Sequence, residues 1–226
     1  MTDSAMKINF DPETLDWQKT GGMMPAIVQN AYSGKVLMFA YMTKEALQKT
    51  LDTGLATFFS RTKNRLWTKG EESGNSLNVK ALTTDCDRDT ILVTVDPIGP
   101  TCHNGTESCF DLQPQLPAGF LGILEQVCEA RKGADPSSSY TAKLYSQGVQ
   151  RIGKKVGEEA VETVIAAMQD DKQEFIGEVA DLLFHLSVLV RAKDASFAEV
   201  MACLEERHGG YSAYKEQHAQ KKAKTC

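Results

Sequence analysis

The stretch Asp85-Cys86-Asp87-Arg88-Asp89 packs three carboxylates and a thiol into five residues. Residues two apart share a face of an extended strand. A strand here would point Asp85, Asp87 and Asp89 one way and Cys86 and Arg88 the other. Crowded carboxylates repel unless a cation lies among them, and an all-oxygen donor set favours magnesium, calcium or manganese. The plain alternative is a solvated acidic turn. An EF-hand is a poor fit, because its sixth position needs glycine and here holds Thr90. Cys86 also begins a second pattern. Cys86, Cys102 and Cys109 fall within 24 residues, and His103 follows Cys102 directly. Thiolate clusters prefer zinc, and three protein ligands leave a fourth position for water, whose pKa zinc lowers toward neutrality. The alternative is three separate buried cysteines. His103 fits a fourth ligand, a proton carrier or an ordinary loop histidine.

Other residues suit a substrate. Ser60-Arg61 and Lys69 suit a phosphate. Trp67 suits stacking on a base, or a place in the core. The loop Gly70-Glu71-Glu72-Ser73-Gly74-Asn75 offers backbone N–H groups that can cradle an anion.

The second half carries a different pattern. In Glu158-Glu159-Ala160-Val161-Glu162 the glutamates fall at helical spacings of three and four, on one face. Glu178 and Asp181 interrupt the apolar run from Phe175 to Val190. Inward-facing carboxylates are costly unless paired or metal-bound. Two antiparallel helices would bring all five carboxylates into a pocket able to hold one or two divalent ions, which would bridge phosphate oxygens during displacement by water. Lys154 and Lys155 suit phosphates as well. The alternative is a solvated acidic helix face. His185, four residues beyond Asp181, fits the core first and contact with the carboxylates second.

Two kinds of element must hold these groups. The runs from Pro25 and Lys35 flank a hairpin loop at Ala31–Gly34. Thr43 caps a short helix that stops at Gly54. Further strands are expected over 57–60, 65–68, 76–84 and 90–95. These make an α+β domain of antiparallel strands over residues 1–112. The proline- and glycine-bearing stretch Gln113–Gly119 reads as a linker. Residues 120–214 have helical periodicity, with helices around 120–127 and over 150–168, 174–191 and 196–207. Residues 215–226 form a polar, lysine-rich tail.

The 226 residues, 42% hydrophobic and 24% charged, suffice for two small cores. A net charge of −5 argues against a nucleic-acid partner. The amino terminus lacks the basic and apolar pattern of a signal peptide, and no apolar run is long enough to span a membrane. A cytoplasmic location with reduced cysteines is therefore expected.

Several motifs together carry a family resemblance. Ala40-Tyr-Met, Ser60-Arg61, Leu66-Trp-Thr-Lys-Gly70, Ser73-Gly-Asn75, Asp85-Cys-Asp-Arg-Asp89, Gly99-Pro-Thr-Cys-His103 and Ser108-Cys-Phe110 resemble the phosphoribosyl-AMP cyclohydrolases of histidine biosynthesis. The resemblance implies hydrolysis of the N1–C6 bond of an N1-ribosylated adenine. It implies a homodimer whose zinc is held by Cys86, Cys102 and Cys109 drawn from both subunits. It also implies magnesium on Asp85, Asp87 and Asp89. A mechanism consistent with it has zinc-bound hydroxide attack C6 while His103 moves the proton, with Asp85 and Asp87 as the further catalytic candidates. The motifs Ser139-Tyr-Thr-Ala-Lys143, Gly153-Lys-Lys-Val-Gly-Glu-Glu159, Glu162 and Glu178-x-x-Asp181 resemble the all-α MazG-type pyrophosphohydrolases, and phosphoribosyl-ATP pyrophosphatase in particular. That implies magnesium on Glu158, Glu159, Glu162, Glu178 and Asp181. The helical domain would release pyrophosphate and pass its product to the first domain. A nucleobase deaminase is excluded, since H-x-E with P-C-x-x-C is absent. Two alternatives are a zinc-dependent dimerisation module and a house-cleaning nucleotide pyrophosphohydrolase with a non-catalytic zinc-binding domain.

Overall fold

The computed structural model describes residues 6–110 and 117–208. The chain forms two compact units, 1–120 and 121–226.

The first unit contains β1 (Lys7–Ile8), β2 (Met24–Asn30), β3 (Val36–Met42), α1 (Lys44–Thr53), β4 (Thr57–Ser60), β5 (Arg65–Thr68), β6 (Leu77–Thr84) and β7 (Ile91–Pro97). The expected hairpin joins β2 to β3, and the expected helix is α1. The Thr43 hydroxyl caps α1 by accepting from the Ala46 N–H at 3.3 Å, and Gly54 ends it in the left-handed region at φ 71°. The five-stranded sheet has the order β1-β6-β7-β2-β3, with β4 and β5 in a separate ribbon. It is mixed rather than antiparallel. β1 pairs with β6, and β2 with β7, in parallel. Local patterning sees the β2–β3 hairpin and the strands β6 and β7, but neither the pairing of β6 with β7 nor the parallel seam that joins them to β2.

Burial alternates along β2, where Met24, Ala26 and Val28 face the core. In β6 the alternation slips. Val79 opposes Val95 and Ala81 opposes Thr94, so Lys80 is the extra residue of a β-bulge. The slip turns Leu82 into the core in place of Ala81. The bulge therefore sets the phase in which β6 arrives at the acidic loop. Phe58 from β4, fully buried, contributes about 1.5–3 kcal/mol by leaving water.

The second unit is helical: α2 (Pro117–Ala130), whose first four residues fall within the bounds of the first unit, α3 (Tyr140–Gln147), α4 (Val149–Ala166), α5 (Lys172–Ala192) and α6 (Phe197–His208). Two corrections follow. Residues 117–119, placed in the linker, belong to the first turn of α2, where a proline at the first position loses no hydrogen bond. The remainder of that stretch, 113–116, and the tail from 215 lie outside the described residues. α3 was not expected. Its apolar positions are few, and its start rests on the Ser139 hydroxyl, which accepts from the Ala142 N–H at 3.1 Å. Cys128, Leu144, Ile152 and Val188 form a small core. Among the described residues no helix is long and apolar enough to cross a membrane.

Candidate active sites

The strand alternation expected across Asp85–Asp89 does not occur, because β6 ends at Thr84 and the stretch turns as a loop. The Asp85 carboxylate closes that loop by accepting from the N–H groups of Asp89 and Thr90 at 3.0 and 3.1 Å. Arg88 takes φ 62°, a conformation rare outside glycine, asparagine and aspartate. Its carbonyl accepts from the Asp16 N–H at 2.8 Å. The three aspartates nevertheless converge, with one oxygen of each within 4.8 Å of the others. A turn achieves what strand alternation was expected to achieve.

Lys19, which no sequence pattern singled out, bridges this cluster. Its Nζ donates to Asp87 Oδ2 at 2.5 Å and also contacts Asp89. Hydrogen bonds to Asp87 and then Asp89 hold the lysine above its ordinary pKa. The same bonds hold both carboxyls below theirs.

Cys86 lies on this loop, exposed, with Sγ 3.9 Å from Asp87 Oδ1. Cys102 is buried and Cys109 exposed. The segment bearing them is stapled to β3. The Cys109 N–H donates to the Leu37 carbonyl at 2.7 Å, Ser108 Oγ donates to the Val36 carbonyl at 2.8 Å, and Lys35 pairs with Glu107 at 2.6 Å. Among the described residues the three thiols do not form a single-chain group within 4.8 Å. The Thr101 hydroxyl, beside Cys102, is buried without a hydrogen-bond partner, a state that costs roughly 1–3 kcal/mol.

Cys102 and His103, with Sγ and Nδ1 3.9 Å apart, form part of the wall of a cavity of about 500 Å³. Ser60, Trp67, Lys69, Ser73 and Asn75 also line it. The 70–75 loop shapes it by folding on itself: the Gly74 N–H donates to the Gly70 carbonyl at 2.9 Å. A Cβ on Gly70 would stand 2.6 Å from the Asn75 backbone, so only glycine fits. Trp67 touches Phe58 at 5.8 Å between ring centroids, as a core position would, and also lines the cavity. Lys69 is 8% exposed, with no carboxylate in ion-pair range among the described residues. Neighbouring Arg65 is already paired with Glu71 at 2.6 Å. Arg61 and Gly74 do not line the cavity. The Arg61 guanidinium stacks on the Tyr41 ring, 4.2 Å from its centroid.

In the helical unit, Glu159 of α4 and Glu178 and Asp181 of α5 place oxygens within 4.8 Å of one another. Glu158 and Glu162 lie outside that group. Glu158 is drawn to Lys155 at 3.0 Å and Lys154 at 3.7 Å, whereas Glu162 is exposed. Lys155 also pairs with Glu159 at 2.7 Å, and that bond, followed by the one to Glu158, holds the lysine above its ordinary pKa. Burial first, then the charges of Glu162 and Glu159, pushes the Glu178 carboxyl up. His185 is core and site at once. It is 5% exposed, with Nδ1 2.9 Å from the Asp181 carbonyl and 3.5 Å from Glu159 Oε1, and Nε2 3.1 Å from the Tyr140 hydroxyl. An N–H at Nδ1 satisfies these contacts, with Tyr140 donating to Nε2. Tyr140, which the sequence reading did not single out although it lies in the Ser139–Lys143 motif, reaches the cluster through His185.

Comparison with known proteins agrees with this division. The phosphoribosyl-AMP cyclohydrolase family model matches residues 38–111, and the phosphoribosyl-ATP pyrophosphohydrolase model matches residues 121–208. The chain is 54% identical over 200 residues to the histidine biosynthesis bifunctional protein HisIE of Photobacterium profundum, covering 86% of this chain and 97% of that one. The protein of the same name from Salmonella typhimurium is 56% identical over 195 residues, 86% of this chain and 95% of the other. That of Vibrio cholerae is 54% identical over 198 residues, with 87% and 94% covered. With both family models matched in order and identity above half, the chain belongs to the bifunctional HisIE family of histidine biosynthesis.

Proposed function

We propose that the two acidic clusters are the metal centres of two consecutive hydrolyses. The helical unit converts phosphoribosyl-ATP to phosphoribosyl-AMP and pyrophosphate. The sheet unit then opens the adenine ring of phosphoribosyl-AMP. The observation that carries this assignment is that each family domain gathers its own carboxylate triad within 4.8 Å.

Both donor sets fit the metals. All-oxygen triads suit magnesium, with Asp85, Asp87 and Asp89 as ligands in one unit and Glu159, Glu178 and Asp181 in the other. Glu158 and Glu162 border the second triad. Cys86, Cys102 and Cys109 suit zinc, and the unpartnered Thr101 hydroxyl beside Cys102 supports a centre completed by a further group. Since the thiols do not converge within one chain, we assign the zinc centre to a homodimer. Exposed apolar residues on the helical unit, among them Val161, Val164 and Ile165 of α4 and Met168 just beyond it, also favour self-association. A MazG-type arrangement of α4 and α5 and a cytoplasmic location complete the proposal.

Zinc supplies a water of lowered pKa, and magnesium neutralises phosphate charge. The residues of the chain do the rest. The buried Lys69 ammonium, with no carboxylate in ion-pair range among the described residues, takes a substrate phosphate, with Ser73 and Asn75 of the 70–75 loop beside it. Trp67 stacks on the base. Water adds to C6, which keeps its amino group and becomes a carboxamide. The N1–C6 bond breaks, and His103 delivers a proton to N1. In the helical unit Lys154 and Lys155 stand one turn before the triad, placed for the triphosphate.

The test is one incubation with phosphoribosyl-ATP, magnesium and trace zinc, resolved by mass spectrometry. Pyrophosphate plus a product one water heavier than phosphoribosyl-AMP supports both steps. Pyrophosphate with phosphoribosyl-AMP accumulating unchanged would instead favour a lone pyrophosphohydrolase with a non-catalytic first domain.

A further inference from the structure

We infer that Lys19 is a built-in counter-ion of the Asp85–Asp89 loop, holding its carboxylates together before a divalent cation arrives and leaving them when one binds. The inference rests on the magnesium assignment above and adds a residue outside every motif of the acidic loop.

Placement is the first observation. Lys19 lies 68 residues from Asp87 in sequence, yet its Nζ reaches Asp87 Oδ2 at 2.5 Å and contacts Asp89. The segment that delivers it is anchored. Leu15 is 5% exposed in the core. The Asp16 N–H donates to the Arg88 carbonyl at 2.8 Å, inside the acidic loop itself. The Lys19 N–H then donates to Asp16 Oδ1 at 2.9 Å, and the Gly22 N–H closes the turn on the Trp17 carbonyl at 2.8 Å. A backbone bond and a side chain from one short turn thus grip the same loop.

Charge is the second. One ammonium offsets only one of the three carboxylate charges, whereas a divalent ion offsets two. Geometry makes the two cations exclusive. Magnesium draws oxygens to about 2.0–2.1 Å around one point in near-octahedral order, and the ammonium already occupies Oδ2 of both Asp87 and Asp89. Lys155 repeats the arrangement in the helical unit, 2.7 Å from Glu159 and 3.0 Å from Glu158.

The test is pulsed acylation of the full-length protein by an N-hydroxysuccinimide ester, in magnesium-free buffer and again with excess magnesium. Peptide mass spectrometry reads Lys19 against exposed Lys172. Calorimetry on the same samples, and on Asp87→Asn, reports binding at the acidic loop. Lys19 acylation rising severalfold with magnesium, Lys172 unchanged, is the expected result. Magnesium binding with Lys19 reactivity unchanged or reduced would overturn the inference and leave the metal assignment standing. No binding heat attributable to Asp87 would overturn both. Lys19→Met provides a second measurement: binding about 3–10-fold tighter and a lower metal-free Tm are expected, whereas weaker binding would contradict the competition.

Discussion

Two carboxylate triads of the same size are built here from opposite materials. The aspartates sit on one six-residue loop, held by backbone bonds to Asp85 and by the Asp16 and Lys19 clasp. The glutamates and aspartate of the helical unit come from two helices, and the triad exists only where α4 and α5 pack. The loop triad is mostly exposed, whereas Glu159 is 5% exposed. A local turn can gather charges at the surface because water screens their repulsion. A helix pair gathers them deeper, and Glu178 shows the strain in its raised pKa. One triad is a matter of chain geometry and the other of tertiary packing.

The largest expected effect separates the units. Cys102→Ala should lose zinc and lower ring opening on the order of 10³-fold, leaving pyrophosphate release intact. Metal analysis with separate assays on phosphoribosyl-AMP and phosphoribosyl-ATP checks both halves, and equal loss of both activities would break the division. The mirror variant, Glu159→Gln, should cut pyrophosphate release more than about 100-fold while ring opening of supplied phosphoribosyl-AMP continues. Mild chelation sharpens the contrast in metals. A brief EDTA treatment should stop pyrophosphate release at once, yet leave zinc bound, since thiolates hold it more tightly than carboxylates hold magnesium.

Smaller effects follow. Lys69→Met should lower kcat/KM for phosphoribosyl-AMP about 10- to 100-fold, the scale of a hydrogen bond to a charged group, with pyrophosphate release unchanged. The smallest concerns stability. The fold raises the Glu178 carboxyl above its ordinary 4.5, so the folded state holds that proton more tightly and stability falls as pH rises through the folded value. Glu178→Gln should therefore raise the metal-free Tm at pH 7. The gain should disappear below about pH 4.5, where wild type is protonated whether folded or not. A gain persisting there would assign the effect to packing.

Much of this was legible from local signals. Thr43 and Gly54 bracket α1, the strand pairs flank their turns, and the Glu158–Glu162 spacing lies on a helix as expected. Errors cluster where distant segments meet. The sheet is mixed because β2 pairs in parallel with β7 across more than sixty residues of chain. The acidic loop is a turn because Asp85 caps it, which strand alternation ignores. Of the five helical carboxylates, the packing of α4 on α5 selects three. Arg61 leaves the cavity for Tyr41, an aromatic neighbour twenty residues away.

By itself, the sequence determined the kinds of donor and their local grouping: three aspartates and a thiol in five residues, glutamates three and four apart, and two domains of different periodicity. These are properties of short windows, where covalent spacing limits what side chains can reach. Tertiary structure alone decided which groups are neutralised and which stay unpaired. Lys19 reaches the aspartates, and Lys69 is buried with no carboxylate in ion-pair range among the described residues. Coulomb interaction depends on distance through space and on burial, and neither is written in the order of residues.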